Sequence, residues 1–167
     1  MAQSRDHIDD LTDHLAGTHS PEELAAKALA YRLRRVAHRL ETEIKRELAP
    51  RGIELWELEL LACLRRAEPK QRLTAGELMT RMQLTSGAVT NRVSQLEHKG
   101  WVSRQLDESD RRVVLVALTE QGRERATQVF GTKTRAELAM LSALDPERQA
   151  RMNEDLRTLL ISLEGSH

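Results

Sequence analysis

Between two apolar runs lies the polar stretch Asp107-Glu108-Ser109-Asp110-Arg111-Arg112, three carboxylates and two adjacent guanidiniums in six residues. Carried on a hairpin tip, such arginines have the shape and charge to enter the narrow, negative minor groove of A·T-rich DNA. Left without a partner, the same tip is a solvated turn. Upstream, Asn91, Arg92 and Gln95 follow the small residues Ser86, Gly87 and Ala88. Amides pair with adenine and guanidiniums with guanine in a major groove, and small residues let a backbone approach. An ordinary polar helix face would hold the same residue types. Other chemistry is not written in the chain: there is no nucleophile–base pair and no phosphate-cradling loop, so neither a catalytic residue nor a cofactor is expected. His7 and His14 share a helix face but are separated by about 10.5 Å of helical rise, too far to chelate one ion, so no metal is expected.

The elements that must position these residues follow from periodicity and capping. Ile8, Leu11 and Leu15 mark a short amphipathic helix over residues 7–16, and Leu29, Leu33, Val36, Leu40, Ile44 and Leu48 mark a long one stopped by Pro50 and Gly52. Residues 54–66, Leu-rich around Trp56, read as a helix apolar on several sides, followed by a loop with Pro69 and Lys70. Thr74 and Glu77 form a capping box that opens a helix bearing Leu78 and Met82. After a tight turn at Gln83 and Leu84, Thr85 caps a helix with Val89, Val93 and Leu96 inward and Gly100 at its end. Ser86, Gly87, Ala88, Thr90, Asn91, Arg92 and Gln95 then form its outer surface, flanked by Lys99 and Arg104 as candidate phosphate contacts. Strands at 101–106 and 113–118 enclose the polar tip. Thr119 caps a further helix, irregular near Gly131, and Asp145-Pro146 opens the last, with Met152, Leu156, Leu159, Leu160 and Leu163.

The expected fold is therefore mainly α with a small β-hairpin wing: a winged helix-turn-helix at 51–119, between N-terminal helices at 1–50 and C-terminal helices at 120–167. The terminal stripes are more apolar surface than one small domain covers alone, which predicts a homodimer held by both ends. With 26 basic and 26 acidic residues, the 167-residue chain has zero formal net charge, but the distribution is uneven. Residues 1–26 hold one arginine against six carboxylates, and residues 27–46 hold seven cations against two. No apolar run approaches the ~20 residues of a membrane span, no secretory leader is evident, and the single Cys63 cannot form an intrachain disulfide. A cytoplasmic protein with a buried, inert thiol is expected.

The segment LTAGELMTRMQLTSGAVTNRVSQLEHKGWVSRQLDESDRRVVLVALTEQG resembles the core of the MarR family of bacterial regulators. Its most specific parts are Asp110-Arg111-Arg112, like the family's D-x-R wing, and Leu118-Thr119 with Gly122, like its L-T-x-x-G helix restart. The resemblance implies a homodimeric transcription regulator, most simply a repressor, that binds a pseudo-palindrome in double-stranded DNA under control of a small ligand or oxidant. It makes Arg112 the groove-inserting residue, Asp110 the brace of its guanidinium and Arg111 a phosphate contact. The N-terminal half resembles the urate- and aconitate-responsive subgroup, with Glu59 at that pocket's Asp position, Arg66 at an Arg position and Leu15 near its Trp position. His14 is a further candidate there, and the resemblance implies a small anionic or aromatic effector. The alternative is a winged-helix protein-interaction module that does not read DNA; the zero net charge favours it and the arginine-tipped wing opposes it.

Overall fold

A computed structural model describes residues 5–67 and 71–165. The loop at Pro69 and Lys70 lies outside the described residues. The chain forms two units, Met1–Glu43 and Ile44–His167.

In the first unit, α1 (His7–Leu15) starts at a reciprocal cap: the Asp6 carboxylate accepts from Ile8 and Asp9 amides while Asp9 accepts from the Asp6 amide. Helix α2 (Pro21–Leu48) starts at Ser20, whose hydroxyl accepts from the Glu23 amide at 3.2 Å while Glu23 accepts from the Ser20 amide at 2.8 Å. Arg32 of α2 reaches Asp6 at 2.9 Å and Asp9 at 2.5 Å, which ties the two helices and holds the Asp6 carboxyl down at about 2. The expected stripe on α2 is bare in its first half, where Leu29, Leu33 and Val36 are exposed, and buried at its end, at Ile44 and Leu48.

The second unit is built around leucines. Helix α3 (Leu55–Arg65) buries Leu58, Leu60, Leu61 and Leu64, and the last turn of α2 adds Leu48. Against them pack α4 (Ala75–Met82) through Leu78 and α5 (Ser86–His98) through Val89, Val93 and Leu96. Thr74 and Thr85 cap these two helices as their spacing predicts. The turn between them closes with Leu84 donating to the Met79 carbonyl at 3.0 Å, and Gln83 takes a left-handed φ of 52°. Helix α5 ends in a Schellman motif, with Gly100 at φ 73° and the Trp101 amide donating to Leu96 at 2.9 Å.

The wing is β2 (Val102–Leu106) paired antiparallel with β3 (Val114–Leu118), Val102 opposite Leu118 and Leu106 opposite Val114. Beyond the expected hairpin, a short strand β1 (Arg72–Thr74) pairs with the far edge of β3, giving the sheet order β1-β3-β2. Three residues are too few to show an alternating pattern, and Thr74 reads from sequence only as a cap.

Helix α6 (Glu120–Leu141) runs unbroken through Gly131, in place of the irregularity expected there. Its start explains the Leu118-Thr119-x-x-Gly122 motif. Thr119 accepts from the Gly122 amide at 3.0 Å, donates its hydroxyl to the Gly100 carbonyl at 2.6 Å and its amide to the Trp101 carbonyl at 3.1 Å. A Cβ on Gly122 would sit 1.9 Å from the Trp101 carbonyl oxygen, so α6 meets the wing's base only because that side chain is absent. Helix α7 (Pro146–Glu164), capped by Asp145, buries no residue and leaves Met152, Leu159, Leu160, Ile161 and Leu163 exposed. Among the described residues no helix is long and apolar enough to cross a membrane.

The close approach at Gly122 sets a measurable penalty. Gly122→Ala is expected to destabilise the second unit by about 3 kcal/mol in chemical denaturation, because rigid backbone must move to admit the methyl group. A variant as stable as the wild type would refute this packing.

Candidate nucleic-acid interface

Helix α5 presents Thr85, Ser86, Gly87, Thr90, Asn91 and Gln95 to solvent, with Ala88 half-buried. Gln95 donates to the Asn91 side-chain oxygen at 3.0 Å, so the two amides stand side by side one turn apart. The cations around the helix are differently placed. Arg92 lies over the Trp56 ring, its guanidinium carbon 5.4 Å from the centroid. Lys99 pairs at 2.5 Å with Glu57, which is 1% exposed, and stands 4.8 Å from the Trp101 centroid. Arg104 pairs with Glu97 and donates to the Ser94 hydroxyl at 2.9 Å. Three of the cations picked from sequence as DNA contacts therefore tie α5 to α3 and β2.

At the wing tip the exposed Arg111 and Arg112 guanidiniums have no hydrogen-bond or ion-pair partner among the described residues. The expected brace is different in kind: Asp110 accepts from the Arg112 backbone amide at 3.0 Å and does not hold its guanidinium. A carboxylate two residues before an amide closes an Asx turn more readily than it reaches a long side chain. The turn is completed by Asp107, which accepts from the Ser109 amide at 2.8 Å, from the Ser109 hydroxyl and from the Asp110 amide at 3.2 Å. The tip is thus a backbone loop closed by two aspartates and carrying two exposed guanidiniums without a partner among the described residues.

The residues expected to line an effector pocket fall in both units. His14, exposed, and Leu15, half-buried, lie on α1 in the first unit. Glu59 and Arg66 line a cavity of about 340 Å³ in the second unit, with Leu58, Ala62 and Phe130 as its apolar wall and Lys133 as a further cation. Glu59 is exposed on that cavity's rim, and the carboxylate that α3 buries is Glu57. Cys63 is buried and its thiol is pushed up by desolvation against the pull of Arg66 and Arg81, the state of an inert thiol.

This arrangement, a reader-like helix held between anchors beside a cationic hairpin, is that of a winged helix-turn-helix. The sequence profile of the MarR family matches residues 53–114. The chain is 35% identical to the uncharacterized HTH-type transcriptional regulator YdgJ of Bacillus subtilis, over 65% of this chain and 68% of that one. Its fold is that of AbsC, a MarR family transcriptional regulator of Streptomyces coelicolor, at TM-score 0.77 and 23% identity over 88% of this chain and 97% of that one. Sco3205, a MarR family regulator of the same organism solved in complex with DNA, is 28% identical with TM-score 0.74, over 83% of this chain and 88% of that one. The chain belongs to the MarR family of transcriptional regulators.

The wing turn has a pH signature. Hydrogen bonds from the Ser109 hydroxyl and the Ser109 and Asp110 amides lower the Asp107 carboxyl to about 2 from 3.8. A lowered carboxyl contributes above its unfolded pKa and loses that contribution as pH falls through the folded one, here between about 3.8 and about 2. The Ser109 and Asp110 amide resonances are expected to hold steady down to pH 4 and to move with a midpoint near 2. Ser109→Ala is expected to raise that midpoint; an unchanged midpoint would show that the hydroxyl does not hold the carboxylate.

Proposed function

We propose that this protein is a dimeric repressor that binds a pseudo-palindromic promoter site in the bacterial cytoplasm and is released by a small effector. The observation that carries this reading is the pair of free guanidiniums at Arg111 and Arg112 on a hairpin whose backbone is already set by Asp107 and Asp110. Little backbone entropy is then lost when Arg112 enters a minor groove and Arg111 meets a phosphate. Asn91 and Gln95 are the candidate base readers, and Thr85, Ser86, Gly87, Ala88 and Thr90 bring the amino-terminal end of α5 to the DNA backbone. Arg92, Lys99 and Arg104, which the structure engages internally, serve this interface by holding the helix. DNA binding by a relative as similar as Sco3205 supports the same reading.

In this proposal residues 51–119 read DNA, while residues 1–50 and 120–167 hold the dimer. The bare apolar stripes of α2 (Leu29, Leu33, Val36) and α7 (Leu159, Leu160, Leu163) are the surfaces that a second copy would cover. The cavity between α3 and α6 suits a small aromatic effector carrying one anionic group, with Phe130 for a ring and Arg66 for charge, while Lys133 is paired with Glu137 on the same lining and Glu59 adds a second carboxylate.

Two outcomes test the reading. Arg112→Ala is expected to weaken binding to the chain's own promoter DNA and to lower the salt slope by about one unit, with the fold intact. Unchanged affinity across a salt titration would remove the wing from the interface. Leu159→Glu combined with Leu163→Glu is expected to sediment as monomer and to bind a two-half-site duplex at least about tenfold more weakly; a dimer by ultracentrifugation would overturn the role of α7.

A further inference from the structure

The first turn of α3 touches α5 at two cations seven residues apart: Arg92 on Trp56, and Lys99 on Glu57. At 100° per residue Arg92 and Lys99 lie within about 20° of one another on the helix surface, whereas Glu97, the partner of Arg104, lies well round the opposite flank. Trp56 is itself held, its indole N–H donating to the Glu54 carboxylate at 2.7 Å. Lys99 secures the carboxyl-terminal end of α5; Arg92 secures the half that carries Gly87, Ala88 and Asn91.

We infer that Trp56 is a specificity-determining positioning residue: stacked against Arg92, it sets the rotation of α5 about its axis and so aims Asn91 and Gln95. This rests on the reading of α5 as the helix that enters the major groove. The buried face of Val89, Val93 and Leu96 seats α5 on the core, and the Arg92–Trp56 contact on one flank biases the roll of the helix within that seat. Base readout depends on that roll, since a paired amide must meet two atoms of one base edge, whereas phosphate attraction hardly changes with a small rotation. Losing the anchor therefore affects discrimination first.

The probe is the duplex that wild-type protein enriches from a random-sequence pool, compared with a scrambled duplex of equal composition. Trp56→Leu and Arg92→Met are each expected to lower the ratio of the two affinities about three- to tenfold at one fixed salt concentration. The double variant is expected to fall no further than either single one, because Trp56 acts through Arg92. Trp56→Phe, which keeps a ring face, is expected to stay near wild type. The salt slope is expected to be unchanged throughout, and Tm shows which variants are folded; if Trp56→Leu loses its fold, Arg92→Met, which keeps the aliphatic stem, decides. An unchanged ratio in Arg92→Met, with Arg112→Ala still weakening both duplexes, overturns the anchor and leaves DNA reading standing. A slope lowered by about one in Arg92→Met makes that residue a phosphate contact and also overturns it. If wild-type protein enriches no duplex, the reading of α5 fails and takes the anchor with it.

Discussion

A carboxylate at 1% exposure must be neutralised where it lies, and Glu57 is neutralised by Lys99. One oxygen of Glu57 takes the Lys99 ammonium; the other takes the Glu54 amide at 2.9 Å and closes the start of α3. Removing one partner from a buried pair costs about 3–5 kcal/mol, less where solvent reaches the other partner, as it does at Lys99. The consequence runs along the chain. Lys99 caps α5, its ammonium rests near the Trp101 ring, and the Trp101 carbonyl is the atom against which Gly122 lets α6 begin. The ends of three helices and the base of the wing thus share one electrostatic obligation.

The distribution of cations also resolves the puzzle of a neutral chain in a family of DNA readers. Arg65 stacks on Phe130, Arg123 binds the Leu118 carbonyl and Arg125 lies over Trp101, so that, with the three anchors of α5, many basic groups are internal fasteners. Arg111 and Arg112 are fastened to nothing among the described residues. What matters for a narrow groove is where the guanidiniums reach, and Arg111 and Arg112 are exposed on a thin tip whose carboxylates Asp107 and Asp110 are turned to backbone amides, whatever the chain total is.

The helices and their starts were legible because a cap is a local event: Thr74, Thr85, Thr119 and Asp145 each bond to an amide three residues on, and the residue types announce it. The inward faces of α4 and α5 were legible from their narrow stripes. Helix α3 was not, since an element apolar on several sides has no phase, and nothing in its spacing marks Glu57 as the carboxylate that faces the core. Contacts across distance were equally hidden. Nothing near Arg92 announces Trp56, thirty-six residues earlier, and nothing in Gly122 announces the Trp101 carbonyl. The brace expected between Asp110 and the Arg112 guanidinium is instead a bond from the Arg112 amide, because spacing does not say whether a carboxylate serves an amide or a guanidinium.

The chain's two tryptophans, Trp56 and Trp101, stand at two of the three cationic anchors of one helix. Indole emission responds to nearby charge, and this protein carries no other tryptophan to dilute the signal. Its intrinsic fluorescence is therefore a built-in gauge of how α5 is seated. Any event that shifts that helix registers optically without a label.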